Sequence, residues 1–93
     1  MADVEWMRPA LDKLYDDVSS EQAKELLMDK PARAQFISAL RIELGDQYPA
    51  FNVAVGDFDD NLFQALIAIR IKFEREEGRE KVELNIAMRS RGK

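Results

Sequence analysis

Whatever chemistry this chain of 93 residues performs, it performs without histidine or cysteine, since neither occurs. Their absence removes the commonest general base, the commonest transition-metal ligand, thiol catalysis, disulfides and zinc–thiolate sites. Carboxylates, lysines and tyrosines remain, and several carboxylates stand side by side: Asp16-Asp17, Asp59-Asp60 and Glu76-Glu77. Adjacent side chains diverge on a helix or strand, so these pairs do not converge on one substrate and read as solvated faces. Asp57, Asp59 and Asn61 copy the Asp-x-Asp-x-Asn opening of a calcium loop. Leu62 then stands where that loop needs glycine, and Ala68 where it needs a bidentate glutamate. The segment therefore reads as a turn whose Asp and Asn side chains bond local amides. Neither a Gly-x-Ser-x-Gly elbow nor a glycine-rich phosphate loop occurs among the four glycines. No catalytic residue, metal ligand or cofactor is assigned, and the expectation is a protein that is not an enzyme.

Charge is the second clue. The chain carries a net charge of −4, spread unevenly. Residues 1–30 hold eight acids (Asp3, Glu5, Asp12, Asp16, Asp17, Glu21, Glu25, Asp29) against Arg8, Lys13, Lys24 and Lys30. Residues 62–93 reverse the balance, with Arg70, Lys72, Arg75, Arg79, Lys81, Arg89, Arg91 and Lys93 against five glutamates. A molecule so divided presents surfaces of opposite sign. No apolar run approaches the roughly 20 residues of a membrane span. Met1-Ala2-Asp3-Val4-Glu5 lacks a basic leader. The expectation is a cytoplasmic protein with no membrane association.

The elements that must position these groups start with helices. Pro9 suits a first helical turn, and Leu11, Leu14, Tyr15 and Val18 recur at helical spacing. Ser19 with Gln22 has capping-box spacing, and Ala23, Leu26 and Leu27 are out of phase with the first stripe, so a second helix starts there. One long bent helix is the alternative. Lys30-Pro31 opens a third helix, Pro31 to Leu44, with Phe36, Ile37, Leu40 and Leu44 inward and Gly45 as terminator.

Beyond residue 45 the pattern changes to alternation. Phe51, Val53 and Val55 read as a short strand. Ala65–Phe73 and Val82–Met88 alternate apolar and polar residues about a turn at Glu77-Gly78. That register pairs Glu76 with Arg79, Glu74 with Lys81 and Lys72 with Glu83 on one face, and Ile71 with Leu84 and Ile69 with Ile86 on the other. The expected architecture is α+β: two or three N-terminal helices on one face of a three-stranded antiparallel meander, in a single two-layer domain. It comprises an N-terminal segment (1–7), a helical part (8–45) and the sheet (50–91). The expected core includes Leu11, Leu14, Leu26, Phe36, Leu40, Val53, Ile67, Ile69, Ile71, Leu84 and Ile86. Trp6, Tyr48, Phe58 and Phe63 lie near element ends and read as staples of that core.

Three candidate surfaces follow. The outward face of the sheet gathers Leu66, Ala68 and Ala87 between Arg70, Arg89 and Arg91, an apolar strip with a cationic rim suited to a partner or a second copy. Asp12, Asp16 and Asp17 form an acidic helical face able to oppose a basic surface, even to mimic nucleic acid. The order of helices and hairpin resembles the winged-helix outline, with Glu74–Lys81 as the wing. That resemblance implies a DNA-reading third helix offering Arg33, Gln35, Ser38 and Arg41, against which the negative net charge argues. The leading expectation is a non-catalytic protein-binding module, an adaptor, assembly factor or inhibitor. A winged-helix-like DNA-binding regulator is the alternative.

Overall fold

The computed structural model describes residues 4–48 and 60–91, with side chains through Arg89. Among these residues every regular element is a helix: α1 (Met7–Asp17), α2 (Ser20–Met28), α3 (Lys30–Leu44), α4 (Asp60–Lys72) and α5 (Arg75–Arg91). The expected α+β meander is overturned. Both supposed hairpin strands are helical, and the third, 51–55, lies outside the described residues together with Val53.

The N-terminal half follows its local signals. Val18 adopts an extended backbone after α1, and Ser19 then closes a full capping box. Its hydroxyl accepts from the Gln22 amide at 3.1 Å, and its own amide donates to Gln22 Oε1 at 2.9 Å. Two separate helices result, not one bent one. Asp29 closes α2 and opens α3 in a single residue, its carboxylate accepting from the Ala32 amide at 3.2 Å. Pro31 sits in the first turn of α3, where a missing amide costs nothing.

The C-terminal half departs because two periods coexist there. Leu62, Phe63, Leu66 and Ile67 repeat at helical spacing and are all buried, while Ile69 and Ile71 pack partly against them. A helix touched by α1, α2 and α5 is apolar around much of its circumference, so an alternating set can always be picked out of it. In α5, Val82 and Ile86 point inward one turn apart. Leu84 is 59% exposed and Met88 70% exposed, so Leu84 leaves the expected core. Glu74–Lys81 is rich in helix formers, and Glu76 with Arg79, expected across a hairpin, pairs along one helix at 3.1 Å. The partner of Glu83 is Arg8, and Lys81 sits 5.2 Å over the Phe73 ring.

Of the other expected core residues, Leu11, Leu14, Leu40, Ile67 and Ile86 are buried, and Leu26, Phe36, Ile69 and Ile71 partly so. Trp6 and Phe63 are themselves core residues. Gly78, expected in a turn, is a buried helical residue. A β-carbon there would lie 2.5 Å from the Tyr15 hydroxyl, so its glycine lets α1 and α5 close on each other.

Candidate functional site

The outward strip expected on a sheet is not assembled. Leu66 is fully buried and Ala68 partly buried in α4, whereas Ala87 and Arg89 lie exposed on α5. Arg91 is the last helical residue, its side chain outside the described set. Arg70 is half-buried, its guanidinium 4.8 Å over the Tyr15 ring, donating to the Leu14 and Val18 carbonyls at 3.0 and 2.7 Å. It caps the C-terminal end of α1.

The residues offered for DNA reading are divided as well. Arg33 is 6% exposed. Its fork holds both carboxylate oxygens of Asp60 at 2.9 Å, and its remaining nitrogen donates to the Leu26 and Leu27 carbonyls at 3.0 and 2.9 Å. The Arg33 hydrogen bonds hold the Asp60 carboxyl below its ordinary range, aided by Gln64 and opposed by burial. Arg33 is thus committed to tying α2, α3 and α4 together. Gln35 and Ser38 remain exposed, and Arg41 is half-buried. The proposed wing opens α5. Of the calcium-like turn, Asn61 is in the first turn of α4, and Asp57 and Asp59 lie outside the described residues. Among the described residues, no group of three or more acidic side chains is arranged to hold a metal ion.

The acidic face splits in two. Asp12 meets Arg79 at 3.1 Å and Arg75 at 3.5 Å, and Asp16 meets Arg75 at 2.6 Å. Beside them Arg8 grips Glu83 with both arms, at 2.6 and 2.7 Å, drawing the Glu83 carboxyl below its usual value. A small groove of about 140 Å³ lies here over Leu11 and Val82, its rim of alternating sign already satisfied within the chain. Asp17 faces away from this network.

Asp17 instead lines a cleft of about 340 Å³ where α1 ends, α2 runs past and α3 begins. Val18, Leu26, Ala32 and Phe36 form its floor, and Asp17, Gln22, Glu25 and Asp29 its rim. Phe36 is half-buried, its ring 5.8 Å from that of Phe63 in the core. The side chains of Gln22 and Asp29 are partly used as helix caps. Among the described residues, no cation lines the cleft. The nearest pairing is Lys13 to Asp17 at 3.8 Å, and Lys13 sits closer to Glu43, at 3.1 Å.

Asp17 and Glu25 stand where helix electrostatics disfavours them, whereas Asp29, past the end of α2, is also the favourable N-cap of α3. Asp16 and Asp17 end α1, Glu25 is in the last turn of α2 and Asp29 follows it, and neither helix has a basic residue in its last turn. A negative charge at the carbonyl end of a helix opposes the macrodipole. Arg70 and Arg33 relieve that end from behind, on the core side, and leave the cleft side negative. In the sequence Leu26 and Phe36 read as core, and Glu25 and Asp29 only as charges. The available signal was acid at the end of two successive helices. Comparison with known protein families, curated proteins and solved structures yields no match. Among the described residues, no helix is long and apolar enough to cross a membrane.

Proposed function

We propose that the chain is a non-catalytic, cytoplasmic protein-binding module that docks on a partner protein through the cleft at the ends of α1 and α2. The observation that carries this reading is the negative rim around an apolar floor, in which Asp17 and Glu25 are held against the local preference of their helices. Each such charge costs about 0.3–1 kcal/mol when it opposes a helix dipole. Local rules broken without a structural gain mark functional positions. A few polar groups around an apolar concavity are the usual make-up of a recognition site. The composition, free of cysteine, accords with a reducing compartment.

A photo-reactive amino acid tests the location. Placed at position 25 on the rim, it should form an adduct with a partner protein in native extract. At position 80, exposed on α5, it should not. Adducts at position 80 and none at 25 would move docking to another face and sink the reading.

A further inference from the structure

The geometry points to a basic amphipathic segment as what the cleft receives: a large apolar side chain on the floor, flanked by lysine or arginine at the rim. This rests on docking through the cleft and adds the chemistry of the docked segment. Charge complementarity decides it. Asp17, Glu25 and Asp29 line the same cleft, with Lys13 drawn toward Glu43. An acidic or neutral segment would leave these carboxylates desolvated and unpaired, which is costly. A purely polar cation would leave Val18, Leu26 and Phe36 uncovered. The volume, about 340 Å³, is at the small end of binding clefts and suits one or two anchoring side chains, not a long groove-bound helix.

Other chemistry is disfavoured by the surroundings. Among the described residues no cation lines the cleft to hold phosphate, and the arginines behind it are already spent on carbonyls and on Asp60. The Leu84 and Met88 surface of α5 lacks a comparable charge pattern on its outward side, where Glu77, Glu80 and Lys81 mix signs.

The test uses a fluorescein-labelled synthetic peptide of leucine and lysine and its leucine–glutamate counterpart, with binding read by anisotropy. The intact protein should bind the lysine peptide and not the glutamate one. Binding should weaken as ionic strength rises from about 0.01 M to about 0.15 M, which shortens the screening length from about 30 to about 8 Å. The variant D17N/E25Q/D29N keeps side-chain shape and preserves the α3 cap, because asparagine caps as well as aspartate. It should lose at least about tenfold in affinity. The variant E74Q/E77Q/E80Q removes the same charge elsewhere and should lose far less. Failure of the lysine peptide to bind, equal loss in both variants, or equal binding of the glutamate peptide overturns the inference. Displacement by free spermidine at matched charge would assign the cleft to a small polyamine and also overturn it. If the position-25 adduct forms while these charge effects are missing, docking through the cleft stands and only the basic segment falls.

Discussion

On the side of α1 that meets α5, carboxylates are answered by cations of the same chain: Asp12 by Arg75 and Arg79, Asp16 by Arg75, and across the same groove Glu83 by Arg8. At the end of α1 that meets α2 and α3, Asp17, Glu25 and Asp29 surround apolar side chains; among the described residues Lys13 approaches Asp17 at 3.8 Å and Arg33 acts on Asp29 from behind the cleft. The two regions share a helix and the same residue types. In one, charge complementarity is completed within the fold and the groove is closed business. In the other it is left open among the described residues, which is the basis of the docking proposed for the cleft. An acidic stretch is therefore not one site: its residues divide according to which neighbours the helices bring.

The strongest way to break the comparison is to remove the group that supports the open side. Arg33→Ala deprives Asp60 of its fork and strips the donor from the Leu26 and Leu27 carbonyls. Breaking a buried pair costs about 3–5 kcal/mol. The Asp60 side chain is 31% exposed, so water softens the loss to about 3 kcal/mol. Urea unfolding checks it, and a loss below about 1 kcal/mol would show the clamp to be redundant. No single exposed ion pair on the α5 side should approach this, because such pairs are worth about 0–1 kcal/mol.

On the closed side the largest effect is steric. Gly78→Ala gains about 1 kcal/mol in helix propensity. The added carbon would meet the Tyr15 hydroxyl at 2.5 Å and Ile69 Cγ2 at 3.3 Å. The hydroxyl cannot swing aside freely, because it donates to the Phe73 carbonyl at 2.7 Å and its ring lies under Arg70 and Arg75. Overpacking costs about 1–3 kcal/mol and the displaced hydrogen bond about 1 kcal/mol, so the net is a loss of about 1–3 kcal/mol. A double-mutant cycle with Tyr15→Phe sharpens this. Without the hydroxyl, Gly78→Ala should recover most of the loss, and a cycle showing no coupling would refute the close-approach account.

Acid should weaken the Arg33 clamp by less than deleting it, since a protonated Asp60 still accepts hydrogen bonds. The Asp60 carboxyl is held below its ordinary value of 3.8, chiefly by the hydrogen bonds from Arg33. The folded chain thus binds that proton more weakly than the unfolded chain. The stabilisation is fully present above that ordinary value and is lost as pH falls below it toward the depressed folded value. Glu83, held below its ordinary value by Arg8, acts in the same direction from a more exposed position. Urea midpoints measured from about pH 6 to about pH 2 should fall less steeply in Asp60→Asn than in the unaltered protein. Equal slopes would remove Asp60 from the account.

How much of this is legible in the residues differs by half. Between Met7 and Leu44 the punctuation is local: Ser19 with Gln22, Asp29 before Lys30-Pro31, and stripes whose phase breaks at Ser19. Such signals act within a turn of helix, so spacing alone suffices. From Asp60 onward, the fold turns on which apolar residues meet something. Ile67, Ile69 and Ile71 alternate, yet α4 is a helix that buries Leu62, Phe63, Leu66 and Ile67 on one face and half-buries Ile69 and Ile71 beside them. Leu84 and Met88 complete an alternation with Val82 and Ile86 only if apolar means inward, and on α5 it does not. The cleft is less legible still. That Asp17 lines the same cleft as Glu25 and Asp29 depends on how α2 is set after the extended Val18, which no spacing rule fixes. The unfavourable placement of the acids at helix ends was readable, and it is the part of the site that sequence carries.

The smallest effects decide the comparison by sign. Asp12→Asn removes a carboxylate that bridges Arg75 and Arg79 at 3.5 and 3.1 Å, so it should destabilise, by about 0.5 kcal/mol at an exposed position. Glu25→Gln removes a carboxylate in the last turn of α2, where the dipole repels it and where Glu21 and Asp29, each four residues away, add like charge. No ion pair among the described residues opposes that loss, so Glu25→Gln should stabilise by a few tenths of a kcal/mol. Both changes remove one negative charge from an exposed site of a net-negative chain, so a general charge effect would move the two urea midpoints the same way. Opposite signs mean that the acids near α5 serve the fold, whereas Glu25 is kept at its expense. Matching signs would erase the distinction between the two sides of α1.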